Sequence, residues 1–304
     1  MKKTKHIIEY LIVITLRPVL SSIPYRIRLP IGKIFGIGLY YLYKKRRDIS
    51  LDNISNSFPE KNNEWHKKLC KYSFMHLSMS IMEFMQIPVL NKKFINKYFI
   101  IEGEKYLKEA LKKGKGLIAI CPHIGNWEYV AAYFGLKGYP ASVIMKRQSN
   151  PYINRIIEKY RKSLNIELIY KRKAGFAVLR ALKQNRIIGF VADQDAGKNG
   201  IFVDFLGRMA STAQGPARFA LSYGTPVIVI IGIRKGNGVF KIIASPILDF
   251  KYNKKIREEA IMENTLIWTK KTEDYIKKYP EQYFWIHRRW KTKNDKTRIN
   301  IAQK

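Results

Sequence analysis

Between Gly116 and Ser245 the chain repeats one pattern: a short apolar run rich in β-branched residues, a helical stretch, then another run. The runs are GLIAI (Gly116–Ile120), ASVIM (Ala141–Met145), IELIY (Ile166–Tyr170), IIGFVA (Ile187–Ala192) and PVIVIIGI (Pro226–Ile233). Helices are predicted from about Trp127, over Pro151–Leu164 and Gly175–Gln184, and from about Thr212 to Ser222. Runs that are apolar without alternation are buried on both faces, and helices between them make the crossovers that a parallel sheet needs. VFKIIAS (Val239–Ser245) is expected to pair back onto PVIVIIGI across the turn RKGNG. The expected fold class is α/β, a mostly parallel central sheet covered by helices. Ahead of it, Trp65, Leu69, Tyr72, Met75, Met79 and Met82 follow the i, i+4, i+7 rhythm of an amphipathic helix over Asn63–Gln86, stopped by Ile87-Pro88. A long helix over about Lys255–Lys278 and a basic tail complete the expectation.

The N-terminal region differs in character. YLIVITL (Tyr10–Leu16) and IFGIGLYYLY (Ile34–Tyr43) are strongly apolar, but Arg17, Arg26, Arg28 and Lys33 interrupt them. No stretch reaches the ~18 to 20 apolar residues of a membrane span. Closed by KKRR (Lys44–Arg47), the region reads as an N-terminal membrane-associated helical segment lying at an anionic lipid surface. Three units follow: 1–47 as anchor, 48–293 as the folded domain and 294–304 as a basic tail. The net charge of +34 attracts polyanions, whether nucleic acid, anionic lipid or an acidic protein. It does not choose among them. The aromatic residues form no RNP-like or OB-like cluster, and no helix-turn-helix or zinc-finger spacing appears, which disfavours a nucleic-acid-binding protein.

The chemistry is sought in CPHIGNWEYV (Cys121–Val130), which follows the first central run and so falls at the sheet edge where α/β proteins bind ligands. Five histidines and 23 acids among 304 residues make roughly 0.4 His-to-acid pairs at this spacing expected by chance, so context must support the pair. Gly125 permits a tight turn, and Asn126 suits a helix N-cap, with Glu128 in the first turn. On one continuous helix His123 and Glu128 would point about 140° apart, at ~100° per residue. The turn is what would bring them together. An imidazole is the natural base for a hydroxyl, and a carboxylate on its other nitrogen fixes the tautomer. With no G-x-S-x-G elbow, the attacking hydroxyl belongs to the substrate and the reaction is direct transfer. Cys70 and Cys121 suggest neither a disulfide framework nor a metal site, and Cys121 reads as a buried cysteine at a strand end.

Several blocks together resemble one family. PHIGNWE resembles the signature of the lipid A late (secondary) acyltransferases: a histidine, four residues, then Asp or Glu. NPYINRIIEKYR is similar to the stretch ending in that family's functional arginine, here Arg161, and ALKQNRIIGFVADQDAG to the block leading to its aspartate, here Asp193. FVDFLGRMASTAQGPARFALSYGTPVI and YPEQYFWIHRRWKT resemble its later segments, so the likeness extends to about Lys293. It implies a glycerolipid acyltransferase-like fold on the cytoplasmic face of a bacterial inner membrane. It also implies transfer of a fatty acyl chain from acyl carrier protein or acyl-CoA to a hydroxyl of an anionic glycolipid, typically a lipid A precursor. His123 and Glu128 would be catalytic, Arg161 and Asp193 substrate-binding, and no metal or cofactor is required because the thioester carries the activation. Backbone N–H groups near Gly125 and Asn126 are candidates for the oxyanion. The filling IGNW departs from the apolar one of enterobacterial members and also suits relatives that acylate phosphatidylinositol mannosides.

Overall fold

A computed structural model of the chain describes residues 2–171, 174–252 and 258–293. Four helices come first: α1 (Lys2–Ser22), α2 (Tyr25–Leu42), α3 (Lys44–Ser57) and α4 (Asn63–Gln86). Next are α5 (Lys92–Tyr98), β1 (Phe99–Glu102), α6 (Glu104–Lys112), β2 (Leu117–Ile120), α7 (Trp127–Lys137), β3 (Ala141–Met145), α8 (Pro151–Ser163) and β4 (Glu167–Tyr170). The chain continues with α9 (Ala174–Lys183), β5 (Ile187–Phe190), β6 (Ile201–Phe205), β7 (Arg208–Thr212), α10 (Gly215–Tyr223), β8 (Val227–Arg234), β9 (Phe240–Ala244) and α11 (Glu258–Lys278). The predicted tail, 294–304, lies outside the described residues.

Seven strands form one sheet in the order β1-β9-β8-β2-β5-β3-β4. The five strands from β8 to β4 are mutually parallel, whereas β9 turns back antiparallel on β8 and β1 runs beside β9. The apolar runs are continuous because both faces are covered. On one face Ile118, Ile120, Ile188 and Val229 pack with Trp268, Ile276 and Trp285. On the other, Leu117, Ala119, Ile187 and Ile228 pack with Tyr129, Val130 and Phe134 of α7. At about 1.5–3 kcal/mol for each fully buried large aliphatic side chain, these faces dominate the fold's stability. The expectation omits the β6–β7 hairpin, whose turn places Leu206 and Gly207 at positive φ (51° and 79°), and the edge strand β1.

The N-terminal boundary at residue 47 falls inside α3. Arg46 donates to the carbonyl of Ile286 (3.2 Å), and Asn53 donates to those of Trp285 and His287 (2.8 and 2.7 Å), tying α3 to the C-terminal segment. Helix α2 lies directly on α4: a Cβ on Gly36 would sit 2.4 Å from Met75 Cα, so only glycine allows this approach. No described helix is long and apolar enough to cross a membrane. Large apolar side chains nonetheless face outward along α1 and α2, among them Val19 (58% exposed), Ile34 (69%) and Leu42 (83%).

Candidate active site

The segment after β2 turns where the sequence requires it. Gly125, at φ 63°, crosses Gly232 of β8 so closely that a Cβ would lie 1.9 Å from the Gly232 carbonyl oxygen. The Asn126 side chain caps α7 by accepting from the N–H groups of Glu128 and Tyr129 (3.0 and 3.2 Å), and its amide donates to Glu83 (2.7 Å). Glu83 is fully buried. It also accepts from Tyr25 and, through a bidentate pair, from Arg234. A loop tied at so many points holds its side chains in place before any substrate arrives.

His123 emerges from this loop with its ring facing Asp193, not Glu128. Nδ1 lies 2.7 Å from Asp193 Oδ1, and the His123 backbone N–H donates to Asp193 Oδ2 at 3.0 Å. Register explains the meeting. Ile120 and Phe190 are partners on the adjacent strands β2 and β5, and each residue of the pair is the third beyond its partner, on the same sheet edge. Burial opposes the charge on Asp193, but the neighbouring imidazole and its hydrogen bonds outweigh it and hold the carboxyl below its ordinary range. A carboxylate on Nδ1 puts the ring proton there, so the neutral imidazole presents the Nε2 lone pair. Gln194 occupies that position, its amide nitrogen 3.1 Å from Nε2.

Glu128, expected to orient the imidazole, instead forms a bidentate pair with Arg161 of α8 (3.1 and 2.6 Å). Its direction follows from the helix: the first turn of α7 aims Glu128 at α8, away from the loop. Trp127 stands between the two groups, donating to Glu128 through its indole N–H (3.1 Å) while its ring packs 4.4 Å, centroid to centroid, from His123. Burial disfavours the Arg161 charge, yet the contact with Glu128 raises its pKa. Arg161 and Asp193, both expected to bind substrate, belong to different pairs, one with Glu128 and the other with His123. The proposed oxyanion donors are also otherwise engaged: Gly125 N–H bonds to the Gln282 carbonyl (2.8 Å) and Asn126 N–H to that of Gly232 (2.9 Å). Cys121 is buried, and burial pushes its thiol pKa up, consistent with a packing role at the strand end.

His123 itself lines a small pocket with His76, Ser80 and Phe284, and two further spaces are bordered by the residues that contact its ring, one by Gln194 and the other by Trp127. An open cleft of about 800 Å³ is lined by Gln194, Asp195, Lys146, Lys171, Phe219 and His287. A narrow apolar cavity with about 50 Å³ free runs between α7 and the sheet, over the small residues Ala119, Ala141 and Gly189, with Trp127, Glu128 and Arg161 also in its wall. Ile144 and Val191 line both spaces. Phe284 closes the opposite side, its ring stacked on His123 at 5.5 Å and its N–H bonded to the His123 carbonyl (3.0 Å). The sequence reading did not single out Gln194, Phe284, Glu83 or Arg234. The one local signal was at Glu83, an acid one turn after Met79 and directly after Met82 of the expected apolar stripe.

The mostly parallel α/β sheet thus carries a histidine–carboxylate pair at its strand ends, and comparison with known proteins gives the class of enzyme that bears it. Residues 1–292 match the bacterial lipid A biosynthesis acyltransferase family, and the chain belongs to it. The lipid A biosynthesis palmitoleoyltransferase of Escherichia coli (strain K12) is 24% identical over 275 residues, covering 90% of this chain and 87% of that protein. The lauroyltransferase of the same organism is 26% identical over 281 residues, covering 90% and 88%. A phosphatidylinositol mannoside acyltransferase of Mycolicibacterium smegmatis is 26% identical over 160 residues, covering 51% of this chain and 53% of that protein. The protein is an acyltransferase, and it acts on a glycolipid acceptor.

Proposed function

We propose that the enzyme transfers a fatty acyl chain from acyl carrier protein or acyl-CoA to a hydroxyl of a lipid A precursor, with His123 as general base. The observation that carries this reading is the His123–Asp193 pair, with Nε2 directed at Gln194, which lines the open cleft, and with Trp127 between the ring and the apolar cavity. The acceptor hydroxyl gives its proton to Nε2 as its oxygen attacks the thioester carbonyl. Asp193 keeps the ring oriented and stabilises the imidazolium. The C–S bond then breaks, and His123 returns the proton to the thiolate. Glu128 and Arg161 are the charged part of the cavity wall, where Arg161 would steady the thioester arm or an acceptor phosphate. The acyl chain enters the apolar cavity between α7 and the sheet. Gly125, Asn126 and Trp127 of the IGNW filling each serve the local geometry, as tight turn, cap and ring contact, so that filling does not by itself point to a mannoside acceptor.

The outward apolar faces of α1 and α2 and the exposed Lys44 and Lys45 support docking on the cytoplasmic face of the inner membrane. Soluble acyl carrier protein and membrane-held acceptor then reach the same cleft. The deciding experiment is mass spectrometry of lipid A from cells with and without the active chain, joined to transfer assays that offer acyl carrier protein and CoA thioesters in parallel. An unchanged lipid A together with no ester product from either donor would sink the assignment.

A further inference from the structure

We infer that Gln194 is a gate on the base: its amide occupies the position of the acceptor hydroxyl and keeps water from using His123 to hydrolyse the donor. This rests on the reading of His123 as general base. Gln194 lies between Nε2 of His123, at 3.1 Å, and the open cleft, which it lines. With Asp193 holding the proton on Nδ1, Nε2 can only accept, and the Gln194 amide N–H satisfies it. His123 itself is largely buried, its side chain 13% exposed, and Trp127 and Phe284 cover other sides of its ring. A molecule arriving from the cleft must therefore exchange places with the amide.

This arrangement discriminates between a lipid hydroxyl and water. A thioester is activated toward both. In hydrolysis, water would give one proton to Nε2 while its oxygen bonds to the carbonyl carbon, the C–S bond would break, and the thiolate would take the proton, releasing free acid. A glycolipid hydroxyl arrives with binding energy from the rest of its headgroup, which offsets the broken Gln194–His123 hydrogen bond. Water brings no such contacts. The side chain suits both stages, since a rotated amide offers its oxygen to the N–H of the imidazolium once the proton has moved.

The test uses the full-length enzyme with lauroyl-CoA, following thiol release without acceptor and ester formation with a detergent-dispersed lipid A precursor. Gln194→Ala should raise the ratio of hydrolysis to transfer about tenfold, the scale of one lost hydrogen bond. Gln194→Glu, nearly the same shape, puts an anion on Nε2 and should move the acid limb of the pH profile to higher pH. The other titratable or charged groups around the ring are Asp193 and Asp195 after β5, Cys121 after β2, Glu128 behind Trp127, His76 on α4, and Tyr283, His287 and Arg289 in the C-terminal segment. They are the same in every variant. An unchanged or lowered ratio in Gln194→Ala, or an unmoved limb in Gln194→Glu, overturns the gate. His123→Ala separates the two ideas: if it keeps both reactions, the base assignment fails, whereas if it loses both while the Gln194 variants behave as wild type, only the gate fails.

Discussion

The imidazole of His123 is held at 2.7 Å by Asp193, a residue 70 positions further along the chain, and not by the acid five positions away. Asp193→Asn should therefore cost about as much transfer as His123→Ala, on the order of 100-fold or more. The double variant should be little worse than either, because the residues act as one unit. Rates from purified, folded variants decide this. Losses that multiply would show that the two work separately.

Glu128 and Arg161 form the second coupled pair, nearly buried at 10% and 14% side-chain exposure. Removing one partner strands the other's charge, so Glu128→Ala or Arg161→Ala should each destabilise the fold by about 3–5 kcal/mol. Glu128→Leu combined with Arg161→Met should recover most of that stability in urea melts without recovering full activity. Full recovery of turnover in the double variant would mean that the pair is purely structural.

Gly189 forms part of the floor of the apolar cavity, where an added Cβ would come within 3.3 Å of Val143 Cγ1. A larger side chain there narrows the space proposed for the acyl chain. Gly189→Val should shift preference toward shorter thioesters while short-chain turnover persists. A chain-length profile parallel to that of wild type would place the acyl group elsewhere.

Membrane docking should depend on α1. Ile8, Leu11, Ile12 and Val19 are all exposed, and changing them to Ser should release protein from vesicles without lowering the melting temperature. Lys44→Gln with Lys45→Gln should make the attachment easier to wash off with salt, by up to ~1 kcal/mol per charge. Vesicle flotation reads both. Retention of the α1 variant at wild-type level would assign that face to another partner.

Stability should fall on mild acidification. Burial, followed by Arg234 and Lys33, lowers His76 from 6.5 to about 3, and burial lowers His287 from 6.5 to about 4. Between these values and 6.5 the unfolded chain binds protons that the folded chain refuses, so stability decreases as pH falls through that window. Replacing both histidines with Gln should flatten the decline of urea midpoints between pH 7 and 5. An equally steep decline would move the cause to other groups.

The alternation of apolar runs and helices determined the parallel sheet by itself, because a strand buried on both faces must be apolar throughout and its connections must cross over. Local chemistry also settled the loop at the site. Gly125 alone tolerates the left-handed turn against Gly232, and Asn126 supplies the cap that starts α7. Chain proximity proved a poor guide to which carboxylate faces the histidine. That depends on the insertion of β5 beside β2, which aligns Ile120 with Phe190 and so puts His123 and Asp193 at the same height. The helical phase of α7 aims Glu128 at Arg161 instead. A side chain's direction at a strand end or helix start is local, but its partner is chosen by strand order and register, which no short stretch of sequence contains.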